Sequence, residues 1–295
     1  METLKAVLSY VAAIVLLPPW IIGLINKTKA FISGRKGPPL FQPFYDNIKL
    51  FKKSAVYGQS TGWVFRTGPL ASLSAVLMAA TFIPFLRNPL FSFNGDALVL
   101  VFLLALSRFG ITLAALDTGS SFEGMGASRE MTFSTLSELA LLLIFANLAF
   151  QCQSLSLKDM FLPRSFKFMA QTLIMGSLLI VVLAENSRIP FDDPQTHLEL
   201  TMIHEAMILD HGGPDLGLIS FSVQLKLTLM LSLIAHLAVF LIPAASQVLV
   251  LLFVLSTFAI FIGLVESSMA RLRLDRIPQL LVAAVCAAAL GFFAK

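Results

Sequence analysis

The sequence predicts an all-α integral membrane protein with about eight transmembrane helices, and three observations predict it. Hydrophobic residues make up 57% of the 295-residue chain and charged residues 13%, with a mean hydropathy of +0.85. A soluble domain carries about a quarter charged residues. The apolar residues fall in runs near the roughly 20 residues that cross a bilayer. The aromatic content is 26 Phe against 3 Tyr, side chains with no polar atom to satisfy in hydrocarbon.

Taken in order, each run is bounded by charge, Pro or Gly. Residues 4–25 form the first span. Pro18, Pro19 and Trp20 stand where a signal peptide would have its small-residue cleavage site, so this segment reads as a retained helix. Residues 69–86 lie between Arg66 and Arg87, 96–116 between Asp96 and Asp117, and 131–153 after Glu130. Residues 168–184 lie between Lys167 and Glu185, 217–242 between Gly217 and Pro243, 245–265 before Glu266, and 278–294 between Pro278 and Lys295. No internal repeat, low-complexity tract or soluble insertion interrupts them, so residues 1–295 read as a single membrane domain.

Lys and Arg set the orientation, because positive loops stay on the cytoplasmic side. The loop over 26–68 alone holds Lys27, Lys29, Arg35, Lys36, Lys49, Lys52, Lys53 and Arg66. With strict alternation, the loops after helices 1, 3, 5 and 7 share one side and collect about thirteen basic residues against about six on the other. Those loops are therefore expected to be cytoplasmic and both termini extracytoplasmic. The net charge of +4 sits in ordinary inside loops, which argues against nucleic-acid binding. Cys152 and Cys286 cannot supply a four-thiolate iron–sulfur site and suggest no disulfide framework.

Several predicted spans carry groups that hydrocarbon disfavours: Arg108, Glu138, Asn147, Gln171, Lys226 and His236. An ionisable group at depth costs roughly 2.5 to 3.5 kcal/mol by insertion scales, so it is paired or lines a watery path. Two readings follow: a structural ion pair such as Arg108 with Glu138, or a chain of protonatable groups entering from the cytoplasmic side with Glu138 at its centre.

Residues 185–215 concentrate seven carboxylates and three histidines. Pro190 and Pro194 frame an extended turn after the fifth span. "QTHLELTMIHEAMILD" then reads as a short helix, closed by Gly212-Gly213-Pro214. It is too charged to span, and fits a re-entrant or interfacial element in a protein-lined cavity. His204-Glu205 opens the metalloprotease pattern H-E-x-x-H, but the second histidine is missing. His197, His204 and His211 recur every seven residues, about 10 Å per step, too far apart to share one ion. No metal site or catalytic residue is expected.

These residues carry a resemblance. "AENSRIPFDDP", with Glu199 following, resembles the signature of the subunit 1 family of respiratory complex I, A-E-x-x-R-x-P-F-D-L-P-E-A-E-x-E. "GPPLFQPFYDNIKLFKK" (37–53), "SREMTFSTLSEL" (128–139) and "ARLRLDRIPQL" (270–280) resemble three further segments of that family, in the same order along the chain. Asp193 departs from the family's Leu, and Gln195-Thr196-His197 from its Glu-Ala-Glu. "THLELTMIHEAMILDHGGPDL" is similar instead to the corresponding subunit of group 4 membrane-bound nickel–iron hydrogenases, including formate hydrogenlyase.

The resemblance implies a non-catalytic subunit in the cytoplasmic membrane. It would dock the hydrogenase large and small iron–sulfur subunits and couple their redox chemistry to antiporter-like membrane subunits that move H⁺ or Na⁺. The nickel–iron centre and iron–sulfur clusters would sit on partners, with no cofactor on this chain. Coupling would run through Glu185, Asp192, Asp193, Glu199, Glu205, Glu138, Arg108 and Lys226. Arg188, Arg271 and Arg273 would order the loop, and Gln42, Asp46 and Lys49 would contribute to docking. The alternative is the quinone-chamber subunit of a complex I-type NADH:quinone oxidoreductase. A free-standing cation transporter is disfavoured by the lack of an inverted repeat.

Overall fold

A computed structural model describes residues 2–58, 61–85, 89–161, 168–192, 202–239 and 247–294, and every regular element among them is helical. The helices are α1 (Glu2–Ile32), α2 (Gln42–Phe51), α3 (Trp63–Ala80), α4 (Asp96–Asp117), α5 (Ser121–Cys152) and α6 (Leu157–Met160). They continue with α7 (Phe168–Glu185), α8 (His204–Met207), α9 (Gly213–Val239), α10 (Gln247–Ser268) and α11 (Ile277–Phe293). Among the described residues seven helices, α1, α3, α4, α5, α9, α10 and the last, are long and apolar enough to cross a membrane, and Met169–Glu185 is a shorter apolar helix.

The hub is α9, 78% of whose apolar window is buried, against half or less in every other span. It touches α1, α2, α3, α7 and α10, so residues placed on it face the middle of the bundle. Opposite it, α5 packs on α4, α7, α8 and α11. Small residues permit close approach where α3 meets α4: a Cβ on Gly68 would collide with Ala114 and the Gly110 carbonyl.

Three boundaries differ from the sequence-based expectation. Helix α1 keeps Pro18 and Pro19 inside it and runs on through Lys27 and Lys29 to Ile32. It stops where Gly34 turns left-handed (φ +68°) and the Arg35 N–H bonds the Ala30 carbonyl at 2.8 Å. Helix α5 begins at Ser121, not near residue 131, because Glu123 and Glu130 are buried with partners and do not interrupt it. The helix expected over 195–210 is a single turn, α8, among the described residues, since the chain turns again at Ile208–Asp210. Residues 193–201, with Asp193, His197 and Glu199, lie outside the described residues.

Candidate functional site: a buried charge cluster under a clasped loop

Four helices converge on one carboxylate. Glu185 ends α7, and its Oε2 lies 3.0 Å from Arg108 Nη2 of α4 and 2.9 Å from Lys226 Nζ of α9. Its Oε1 accepts from Ser137 of α5. About two α5 turns before Ser137, Glu130 places Oε1 4.0 Å from Arg108 Nε. All four ionisable side chains are buried, and their charges balance: two cations, two carboxylates. Isolated buried charges cost several kcal/mol each, so this pairing is what permits them at depth.

The cluster borders three openings. A cavity of about 30 Å³ is lined by Arg108, Glu130, Glu185, His204 and Lys226, with Ser72 hydrogen-bonded to both Ser107 and Ser222 on its wall. A second, of about 20 Å³, is lined by Glu130, Ser134, Ser137, Glu185 and Asp192. Each has room for about one or two waters and is polar enough to hold them. Outside, a groove of about 330 Å³ between α4 and α5 is lined by Phe102, Phe109, Ser134 and Thr135, and by Arg108 and the half-buried Glu138. Arg108 therefore faces both the inner cavity and the outer groove, and Ser134 both the second cavity and the groove.

This corrects the expected Arg108–Glu138 pair: Arg108 is taken by Glu185 and Glu130. Glu138 lies eight residues beyond Glu130, which rotates it about 80° around α5 and turns it toward the groove.

Above the cluster the loop is clasped by charge. The cis peptide Ile189–Pro190 lies in a turn whose Arg188 Nη1 is 3.2 Å from Glu266 Oε1, while Lys29 Nζ of α1 is 2.9 Å from Glu266 Oε2. Asp192 Oδ1 meets Arg271 Nη2 at 3.1 Å, and its Oδ2 accepts the Ile203 and His204 N–H groups at 3.0 and 3.1 Å. The Leu272 N–H bonds the Pro190 carbonyl at 2.9 Å, and Arg129 of α5 donates to the Met202 carbonyl at 3.0 Å. Arg188 and Arg271 are thus both on the loop, through different carboxylates. Arg273 is not: it meets Asp275 at 3.4 Å on an exposed surface.

The remaining candidates disperse. Glu205 is half-buried in α8 beside His204. Burial holds the His204 imidazole below the ordinary histidine range, with Glu205 and Asp192 opposing and Lys226 reinforcing. Gln42 donates to Asp46 on the exposed side of α2, and Lys49 is exposed there too. Asn147, Gln171 and His236 bond backbone carbonyls of Ala288, Leu237 and Ser232, which makes them packing contacts remote from the cluster. Among the described residues no three His, Cys, Asp or Glu side chains converge on a metal position.

Sequence reasoning missed Glu130, Ser137 and Glu266. The spacing Glu130, Ser134, Ser137 marks one helical face and could have exposed the first two. Glu266 offered only a lone acid at the end of an apolar run.

His211 is another surprise. Its ring stacks on Phe65 at 3.9 Å and 4°, it is 5% exposed, and neither ring nitrogen has a partner among the described residues. Burial lowers its pKa, and Asp215 and Asp210 act against that. The unfolded chain then binds the proton that the folded chain refuses, so stability is full above about pH 6.5 and declines as pH falls below it. Thermal unfolding at pH 7.5 and 5.5 should show this loss, and His211→Phe, which keeps the stack, should reduce it.

A family model described as NADH dehydrogenase matches residues 4–294. The chain belongs to the NADH dehydrogenase family, complex I subunit 1 type. Within it, hydrogenase-4 component C of Escherichia coli K12 is 34% identical over 239 residues, covering 77% of this chain and 72% of that protein. Formate hydrogenlyase subunit 4 of the same organism is 30% identical over 277 residues, 89% of each. A subunit of the NADH-quinone oxidoreductase of Anaplasma phagocytophilum is 26% identical, over 61% of this chain and 60% of its own. Among solved structures, a chain of the membrane-bound sulfane sulfur reductase, an archaeal respiratory membrane complex, superimposes with a TM-score of 0.79 at 25% identity, covering 99% of both chains. This NADH dehydrogenase family member is therefore a multi-pass membrane subunit of a respiratory-type complex, and its partners are other subunits of that complex.

Proposed function

We propose that the chain anchors and couples a membrane-bound nickel–iron hydrogenase of formate hydrogenlyase type. The observation that carries this is the run of polar groups from the clasped loop to the outer groove: Asp192, the Glu185–Arg108–Lys226–Glu130 cluster, then Glu138. The hydrogenase branch is supported by the 34% and 30% identical relatives over the 26% identical quinone-reductase relative.

In this reading the chain sits in the cytoplasmic membrane with both termini outside. The loop over 185–215, including Asp193, Glu199 and Glu205, docks the large and small hydrogenase subunits with Gln42, Asp46 and Lys49. Those partners carry the nickel–iron centre and iron–sulfur clusters; this chain carries no cofactor. Arg188 and Arg271 hold the loop's approach. A change of charge beside Asp192 shifts the balance of Glu185 and Glu130, because close carboxylates titrate as a coupled set. Arg108 is shared between the cavity and the groove, so that shift reaches Glu138, against which an antiporter-like subunit packs.

The test is to purify the complex with its partners, measure nickel and iron, assay hydrogen evolution from a reduced dye, and repeat with Glu138→Gln. Nickel with hydrogen evolution is expected. Glu138→Gln should keep that evolution while ion translocation in vesicles falls by about 100-fold, the usual scale for losing a proton-transferring group. Iron without nickel, with quinone-dependent turnover, would move the chain to the complex I branch.

A further inference from the structure

We propose that α2 is a lipid-binding element that holds an anionic phospholipid of the adjacent leaflet. The helix has three separate faces, each repeating at helical spacing. Pro43, Asn47 and Leu50 face inward; Asn47 donates to Gln224 of α9 at 3.3 Å. Gln42, Asp46, Lys49 and Lys53 form a hydrophilic stripe. Phe41, Tyr45 and Ile48, followed by Lys52, form an apolar stripe whose three apolar members are 42%, 60% and 38% exposed. A helix on a soluble docking surface needs only two faces, and the third requires a different neighbour.

Depth identifies that neighbour. The chain returns alongside α1 until the Leu40 carbonyl abuts Gly23, where a Cβ would not fit. Gly23 lies nine residues before the end of α1 at Ile32, about 13 Å along the helix axis. At the other end of α2, the Ser54 carbonyl packs against Gly213, the first residue of α9. The helix therefore climbs from inside the spanning region to its edge. Its exposed apolar residues run from Phe41 at the deep end through Tyr45 and Ile48 to Phe51, and the exposed Lys52 and Lys53 follow at the shallow end.

A phospholipid has the same polarity along its length. Acyl chains cover Phe41, Tyr45 and Ile48, and the headgroup meets Lys52, which continues the apolar stripe, and its neighbour Lys53. An anionic headgroup is selected by charge, since residues 26–58 carry seven Lys and Arg against one carboxylate, Asp46.

The inference does not depend on which enzyme the complex is, and its test needs no turnover. The whole complex, with Cys286→Ala and a fluorophore on Tyr45→Cys, is placed in nanodiscs of phosphatidylcholine with or without phosphatidylglycerol. Brominated acyl chains should quench the label. Native mass spectrometry of the parent complex should show phosphatidylglycerol retained over phosphatidylcholine. That preference should fall about fivefold for each lysine lost in Lys52→Gln/Lys53→Gln, and survive in Lys52→Arg/Lys53→Arg. Equal retention of the two lipids would overturn the proposal. So would a label that brominated chains reach only after partner subunits are stripped away, because a polypeptide would then cover this face.

Discussion

Replacing Glu185 with Gln is expected to destabilise the chain by about 3 to 5 kcal/mol, the range for removing one member of a buried ion pair. Glutamine fits the space, so packing is not the cause. The change removes the carboxylate that lies 3.0 Å from Arg108 and 2.9 Å from Lys226, leaving two buried cations against Glu130 alone. The unfolding temperature of the purified complex should fall. The double variant Glu185→Gln/Lys226→Gln restores neutrality and should recover part of the loss. An unchanged unfolding temperature in the single variant would show that water already screens the cluster.

Glu266→Gln should have the next largest effect, about 2 to 3 kcal/mol. Its side chain is fully buried, and it bridges Lys29 of α1 and Arg188 of the loop at 2.9 and 3.2 Å. The loss is smaller than at Glu185 because Lys29 keeps 18% side-chain exposure and can reach water. The consequence is local: Arg188 loses its anchor three residues beyond Glu185. Amide exchange at Asp192, Ile203, His204 and Leu272 should quicken, with α3 and α4 unaffected. Uniform acceleration across the chain would indicate a fold-wide role for Glu266 in place of the clasp.

The spans were legible in the sequence because bilayer thickness imposes a length and burial imposes composition. Helix ends near charge were not. The α5 start was missed because Glu123 and Glu130 read as water-facing, whereas both are buried, Glu130 beside Arg108 of the preceding helix. The Thr118 hydroxyl bonds the Glu123 carboxylate, which also accepts the Asp210 N–H at 3.2 Å. The same limit applies to the site. Polar residues inside spans flagged Arg108 and Lys226, but partner choice depends on which helices adjoin, and no spacing along one helix encodes that. Glu185 was found through a motif, Glu266 only through its geometry.

The length of α5 has a mechanical meaning. Its 32 residues make a rod of about 48 Å, against a hydrocarbon layer of about 30 Å. The excess near its start grips the loop, through Glu123 with Asp210 and Arg129 with Met202, while Glu138 sits near the rod's midpoint. An unbroken helix does not absorb displacement along its length as a hinged one does. A displacement of the loop would therefore arrive at the level of Glu138 as a tilt of the whole rod.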